Sequence, residues 1–214
     1  MEKIVGDEAR QLIALDGVDH INCHSKGRTV LGRVVTNFAR TRFRTHIGWF
    51  TSMEGYWYFC KIWLYCRRER SVAVACAPLR TAWGGRAKTL GKELQERFGV
   101  PNEWLPTEIF CSLISIGLHC KLLSNPFLTT LLVQNELPLR HYHVFGTEAN
   151  PVVQHTPHND WVWATLEKIA AGMPLPSEEQ EDWWRREHLQ FVRPQEDEVL
   201  TKQLTVQLAD LTLR

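Results

Sequence analysis

In the stretch "SMEGYWYFCK", Ser52 to Lys61, a carboxylate and an amine stand seven residues apart among four aromatic side chains. Seven residues of helix is almost two turns, so Glu54 and Lys61 would share a face with about 20° between them and ~10.5 Å of axial rise. Structural ion pairs on a helix normally sit three or four apart, where the side chains already touch. Seven apart suits two groups that grip something between them. The competing reading is the polar stripe of a buried helix, since structural charge networks also border clefts.

Other residues that could do chemistry are fewer. The six cysteines, Cys23, Cys60, Cys66, Cys76, Cys111 and Cys120, have no CxxC spacing. Their mostly apolar surroundings point to reduced, packed thiols rather than a disulfide framework. Of nine histidines, only "HINCH" (His20, Cys23, His24) and "HYH" (His141, His143) are tight clusters. Neither completes a zinc spacing, so no metal and no cofactor is expected. Lys and Arg total 25 against 24 for Asp and Glu. No global field draws such a chain onto nucleic acid, and any polyanion must be met by a local patch.

The elements that must position these groups belong to an α+β chain, predominantly helical. Its 214 residues and 44% hydrophobic content suit one domain over 1–172, with a small early β-hairpin, and an appended helix or tail over 173–214. "MEKIVGDEARQLIALDG" lacks a basic start followed by an apolar core, so it reads as a short helix and not a secretory signal. The richest apolar run, "IFCSLISIGLHCKLL", is shorter than the ~20 residues of a membrane span and carries His119 and Lys121. A cytoplasmic protein with no membrane partner is expected. Residues 29–52, "TVLGRVVTNFARTRFRTHIGWFTS", are β-branched and aromatic and read as paired strands. A helix follows from the Ser52 cap to the basic end at Arg67, Arg68 and Arg70. A second helical piece runs from Pro78 to Gly99, interrupted at Gly84-Gly85. "TEIFCSLISIGLHCKLLS" and "FLTTLLVQN" are helices separated by Asn125-Pro126, and "LPLRHYHVFG" alternates into a strand. Gly146 to His158 reads as a loop bordering a site, and "NDWVWATLEKIAAGM" as the last core helix, capped by Asn159 or Asp160. In the extension, Trp183 and Trp184 need a surface to pack on, which an oligomer or partner contact would supply.

Several pieces, taken in order, resemble the NADAR family, linked to NAD and ADP-ribose chemistry. They are "TNF" (Thr36, Asn37, Phe38), "FRTHIGWF", "SMEGYWYFCK" with Glu54 and Lys61, "RAKTLGK" with Lys88 and Gly91, and "HCKLLSNPFLTTLL". "HNDWVW", with Asp160 and Trp161, stands for the glycine-rich ending of many members. The resemblance covers roughly residues 28–172, and its wording is closer to the bacteriophage subgroup than to the riboflavin-pathway members.

The resemblance implies a single NADAR-like catalytic domain and cleavage of an N-glycosidic bond. Its candidate substrates are ADP-ribosylated guanine in nucleic acid and riboflavin-pathway intermediates. In that chemistry Lys61 would attack the anomeric carbon as a neutral amine, favoured by desolvation among Tyr56, Trp57 and Tyr58. Glu54 would move protons or steady the cationic centre. Asn37 could bond ribose hydroxyls or a base edge and Phe38 could stack. Arg33 could meet a phosphate, Lys88 a diphosphate, and Trp49 and Trp161 could sandwich a base. His141, Tyr142 and Asp160 complete the expected contacts. Arg40, Arg42 and Arg44, on alternate positions of the hairpin, could track a DNA strand. Three readings follow. The first is an enzyme stripping ADP-ribose from guanine in DNA, which would protect a phage from an ADP-ribosylating toxin. The second is an N-glycosidase on a small cytosolic N-riboside. The third is a non-catalytic binder of an ADP-ribose-like ligand.

Overall fold

The computed structural model describes residues 3–105, 107–155 and 160–172. Trp183, Trp184 and the rest of the extension lie outside the described residues, as does Asn159. The described chain is mixed α+β and predominantly helical, with eight α-helices and seven short strands. One unit holds residues 3–44 and 49–172 of the described chain; the turn Thr45–Gly48 belongs to a second. Within that turn Thr45 Oγ1 donates to the Gly48 carbonyl at 3.0 Å and accepts from the Ile47 amide at 3.3 Å.

The helix Met53–Tyr65 (α3) is the centre of the larger unit, with nine of its thirteen residues buried. Ser52 starts it by accepting the Gly55 amide at 3.1 Å while donating to the Ala82 carbonyl at 2.8 Å. That is an N-cap doubling as a tertiary tie. The helix stops at Tyr65, ahead of the arginines expected to end it, because Arg67 and Arg68 take left-handed φ values of 52° and 63°. Around it pack Arg70–Ala75 (α4), a 3-10 turn at Ala77–Arg80, Gly84–Arg97 (α5) and Thr107–Leu123 (α6). The helical piece from Pro78 to Gly99 is broken after the 3-10 turn, and Gly84 opens α5 at φ 59°. Phe50 meets Tyr56 edge-on at 5.2 Å and Phe59 at 5.5 Å, and Phe43 meets Tyr56 at 5.9 Å. Each fully buried ring of this kind contributes about 1.5–3 kcal/mol.

A smaller apolar cluster joins the ends of the chain. Lys3–Val5 (β1) and Tyr142–Gly146 (β6) flank Pro151–His155 (β7) in an antiparallel sheet with Lys3 opposite Gln154 and Tyr142 opposite His155. The helix Gly6–Ala14 (α1) covers it through Ala9, beside Tyr142 and Val153. A hairpin partner, β7, therefore occupies much of the span read as an open loop after Gly146, and β1 precedes the expected first helix. Ile21–Asn22 (β2) pairs in parallel with Leu139–Arg140 (β5).

The region read as paired strands divides. Val30–Val35 (α2) is helical, and only Phe43–Thr45 (β3) and Gly48–Phe50 (β4) form the hairpin. A local cap at one end and a distant lysine at the other override the β-branched composition. Thr29 caps α2 by accepting the Gly32 amide at 2.9 Å, and the buried Lys121 ammonium donates to the Val35 and Thr36 carbonyls at 3.1 and 3.0 Å. A cation on the last carbonyls satisfies the groups a helix end leaves open. "TNF" consequently sits on the loop after α2, not on a strand. Pro126–Val133 (α7) and Asp160–Ala170 (α8) fall where the sequence puts helices. Ile109–Leu123 and α7 are bent by 101° at the Asn125-Pro126 break, and no single described helix is long and apolar enough to cross a membrane.

Candidate active site

The helices α3 and α5 run side by side in the same direction. The Lys88 charge acts on Glu54, a Cβ on Gly91 would stand 2.2 Å from the Tyr58 ring, and Lys61 bonds Gln95. These partners advance together along both helices, so both N-termini lie at the Glu54 end. Parallel dipoles give that end a positive field.

At this end three segments meet. The Glu54 amide donates to the Asn37 carbonyl at 2.9 Å, and the Gly84 amide donates to the Phe38 carbonyl, also at 2.9 Å. Those two bonds clamp the loop after α2 against the starts of α3 and α5. Lys88 Nζ lies 5.9 Å from the centre of the Phe38 ring. Asn37 Oδ1 is buried with no hydrogen-bond partner among the described residues. Burial raises the Glu54 carboxyl from its ordinary 4.5 to about 7, against the opposing pull of Lys88. Tyr58, one turn on, is raised by burial and then by the Glu54 charge. A carboxyl poised near neutrality can give or take a proton at working pH.

Lys61 is placed differently from Glu54. Its side chain is buried, and Nζ donates to Gln95 Oε1 at 2.9 Å and to the Asn102 carbonyl at 3.0 Å. Gln95 Nε2 in turn donates to Asn102 Oδ1 at 2.7 Å. Desolvation lowers the Lys61 pKa. Trp57 lies 5.8 Å from Nζ and meets Phe110 edge-on at 4.7 Å. These two oxygens engage two N–H groups of the Lys61 side chain.

His24, His141 and His143 form a cluster. His143 Nδ1 and His24 Nε2 are 3.2 Å apart, and the His141 ring centre lies 4.9 Å from that of His143. His141 Nδ1–H donates to the Cys23 carbonyl at 2.6 Å, and its ring lies 5.3 Å from Trp163. Burial, then the two neighbouring rings, pushes His24 down to about 4. His143 is lowered by burial and then by the charge of Lys88, which links this cluster to the Glu54 end. Among the described residues no group of three or more His, Cys, Asp or Glu is arranged to hold a metal ion.

The other expected contacts separate. Arg33 Nη1 donates to the Gly27 and Arg28 carbonyls at 2.9 and 2.7 Å, which makes it a brace of the 27–28 turn instead of a phosphate contact. Tyr142 is 1% exposed, with its hydroxyl 2.9 Å from His20 Nε2; it is a core residue and not a surface that meets substrate. Trp49 and Trp161 have different partners. Arg42 lies over Trp49 at 4.5 Å, and Phe110 meets Trp161 at 6.0 Å. Asp160 begins α8, and burial lowers the His141 pKa against the weaker opposing pull of the Asp160 charge. Lys121 is the residue sequence reasoning left out of the site. A lone charge inside the apolar run of α6 was its signal, and burial pulls it down to about 7.

Comparison of the chain with protein families, with curated proteins and with solved structures finds no match in any of the three.

Proposed function

We propose that this protein is an N-glycosidase of NADAR type that removes ADP-ribose from modified guanine in DNA, an activity by which a phage would counter an ADP-ribosylating toxin. The observation that carries the reading is the meeting of Glu54, Lys88 and the Asn37-Phe38 loop where two parallel helices begin. The order of the resembling motifs along the chain supports it as well.

In this reading Glu54 protonates the departing guanine nitrogen as the C1′–N bond breaks, so the bonding electron pair leaves with the base. Lys61 forms a bond from Nζ to C1′, the ribose ring opens, and the adduct is a Schiff base that water hydrolyses to free ADP-ribose and the original amine. Gln95 and the Asn102 carbonyl orient the amine through its two N–H groups, and Trp57 and Phe110 keep its surroundings apolar. Asn37 Oδ1, the unpartnered acceptor, receives a ribose hydroxyl, while Phe38 and Lys88 face the base and the diphosphate.

Borohydride added during turnover reduces a lysine Schiff base to a stable amine. The expected result is one ADP-ribosyl adduct on the peptide that contains Lys61, located by mass spectrometry. Turnover with no adduct at any lysine would remove the covalent step and leave Glu54 activating water. The second reading, a small N-riboside as substrate, draws on the near balance of 25 basic and 24 acidic residues. A binder of an ADP-ribose-like ligand would instead protect its ligand stoichiometrically and release nothing.

A further inference from the structure

Balanced as the whole chain is, its charges are not evenly spread. Between Asp19 and Glu54 it carries six Lys or Arg and no Asp or Glu, and between Glu69 and Glu93 five more with no acid. These two basic segments meet in space, because the Gly84 amide donates to the Phe38 carbonyl.

Phe38, Arg40 and Arg42 of the first segment each make a cation–aromatic pair, two of them with residues of the second segment. Lys88 lies over Phe38 at 5.9 Å, Arg40 over Trp83 at 5.9 Å and Arg42 over Trp49 at 4.5 Å. The backbone that presents them is pinned. The Thr41 amide donates to the Thr51 carbonyl at 2.9 Å, and Asn125 Nδ2 donates to the Arg42 carbonyl at 3.0 Å. Trp49 and Trp83 are 46% and 49% exposed, an unusual position for the largest apolar side chain.

We infer that Phe38, Arg40, Arg42, Trp49, Trp83 and Lys88 form a track that holds a single strand of DNA and leads it to Glu54. The exposed indoles stack on unpaired bases, and the arginines that lie over them neutralise phosphates; neither task needs a particular base sequence. A duplex keeps its base faces covered and cannot use the indoles. The track rests on the proposed DNA substrate for its purpose, but its binding can be measured without any modified base.

The test is fluorescence anisotropy with an unmodified, labelled oligo(dT), a duplex of the same length and, as competitor, inorganic polyphosphate. Wild type is expected to prefer the single strand. Trp83→Ala should weaken oligo(dT) binding by about 5- to 100-fold, the range of a lost base stack, with polyphosphate binding unchanged. Trp83→Phe should restore most of it. The double variant Arg40→Gln, Arg42→Gln should reduce the log–log salt slope by about 1.4, from roughly 0.7 per phosphate contact. Equal affinity for the duplex, polyphosphate competing as well as oligo(dT) charge for charge, or an unaffected Trp83→Ala variant would overturn the track. Release of ADP-ribose from a modified guanosine nucleoside measures the Glu54 site without the track, so the failure of one is distinguishable from the failure of the other.

Discussion

Glu54, half-buried, and Lys121, fully buried, are ionisable groups brought to about 7 from opposite directions. Glu54 is raised from 4.5 to about 7, so the folded chain holds that proton more tightly than the unfolded one. Its contribution is greatest below pH 4.5 and is lost as pH rises through 7. Thermal melting of wild type and Glu54→Gln should therefore differ by an amount that changes between pH 4.5 and 7 and is flat above; a constant difference would contradict the burial account. Lys121 falls from 10.5 to about 7, so its contribution is present above pH 10.5 and is lost as pH falls through 7. The melting difference between wild type and Lys121→Met should shrink steadily over that window as the pH is lowered, and a pH-independent difference would show that the amine is not desolvated. Its bonds to Val35 and Thr36 hold the end of α2, one residue before Asn37. Lys61 has a comparable structural component. Truncating it leaves Gln95 Oε1 and the Asn102 carbonyl without their donor, a cost of about 1–3 kcal/mol, so loss of activity in such a variant counts only with a stability measurement beside it.

Among the elements, the contact of α3 with α5 decides whether Glu54, Lys88 and Lys61 keep their places. A Cβ on Gly91 would meet the root of the Tyr58 ring at 2.2 Å, while one on Gly85 meets nothing within 4 Å. Gly91→Ala should destabilise the fold by about 1–3 kcal/mol through overpacking. Gly85→Ala should be neutral or stabilise by up to ~1 kcal/mol. Equal effects in chemical denaturation would contradict the parallel packing. Much of this level was legible beforehand. Ser52 was read as the cap of α3, and α6, α7 and α8 fall where apolar spacing and the Asn125-Pro126 break placed them. What was not legible depends on distant partners. Val30–Val35 looks like a strand until the Lys121 ammonium reaches its carbonyl end. The chain after Gly146 looks like a loop until Pro151–His155 finds β6 and β1. At the site, spacing placed Glu54 and Lys61 on one helix but could not tell that Lys88 acts on one and Gln95 binds the other. Nothing in the sequence marks Tyr142 as a core residue; its buried ring is identified only by its contact with Ala9 and Val153.

For the molecule as a whole, a nearly neutral chain places Lys88 and Arg40 where α3 and α5 begin, and the same region holds the Glu54 carboxyl, raised to about 7. In the proposed function those two features favour a modified strand of nucleic acid over a small metabolite as substrate. The most direct test is to incubate wild type and Glu54→Gln with single-stranded DNA bearing ADP-ribosyl-guanine and follow free ADP-ribose and restored guanine by mass spectrometry. Multiple turnovers by wild type, with a kcat/KM that changes near pH 7, and a loss of about 100-fold or more in Glu54→Gln are the predicted results. No release by wild type would contradict the N-glycosidase reading, and equal release by both would contradict the assignment of Glu54.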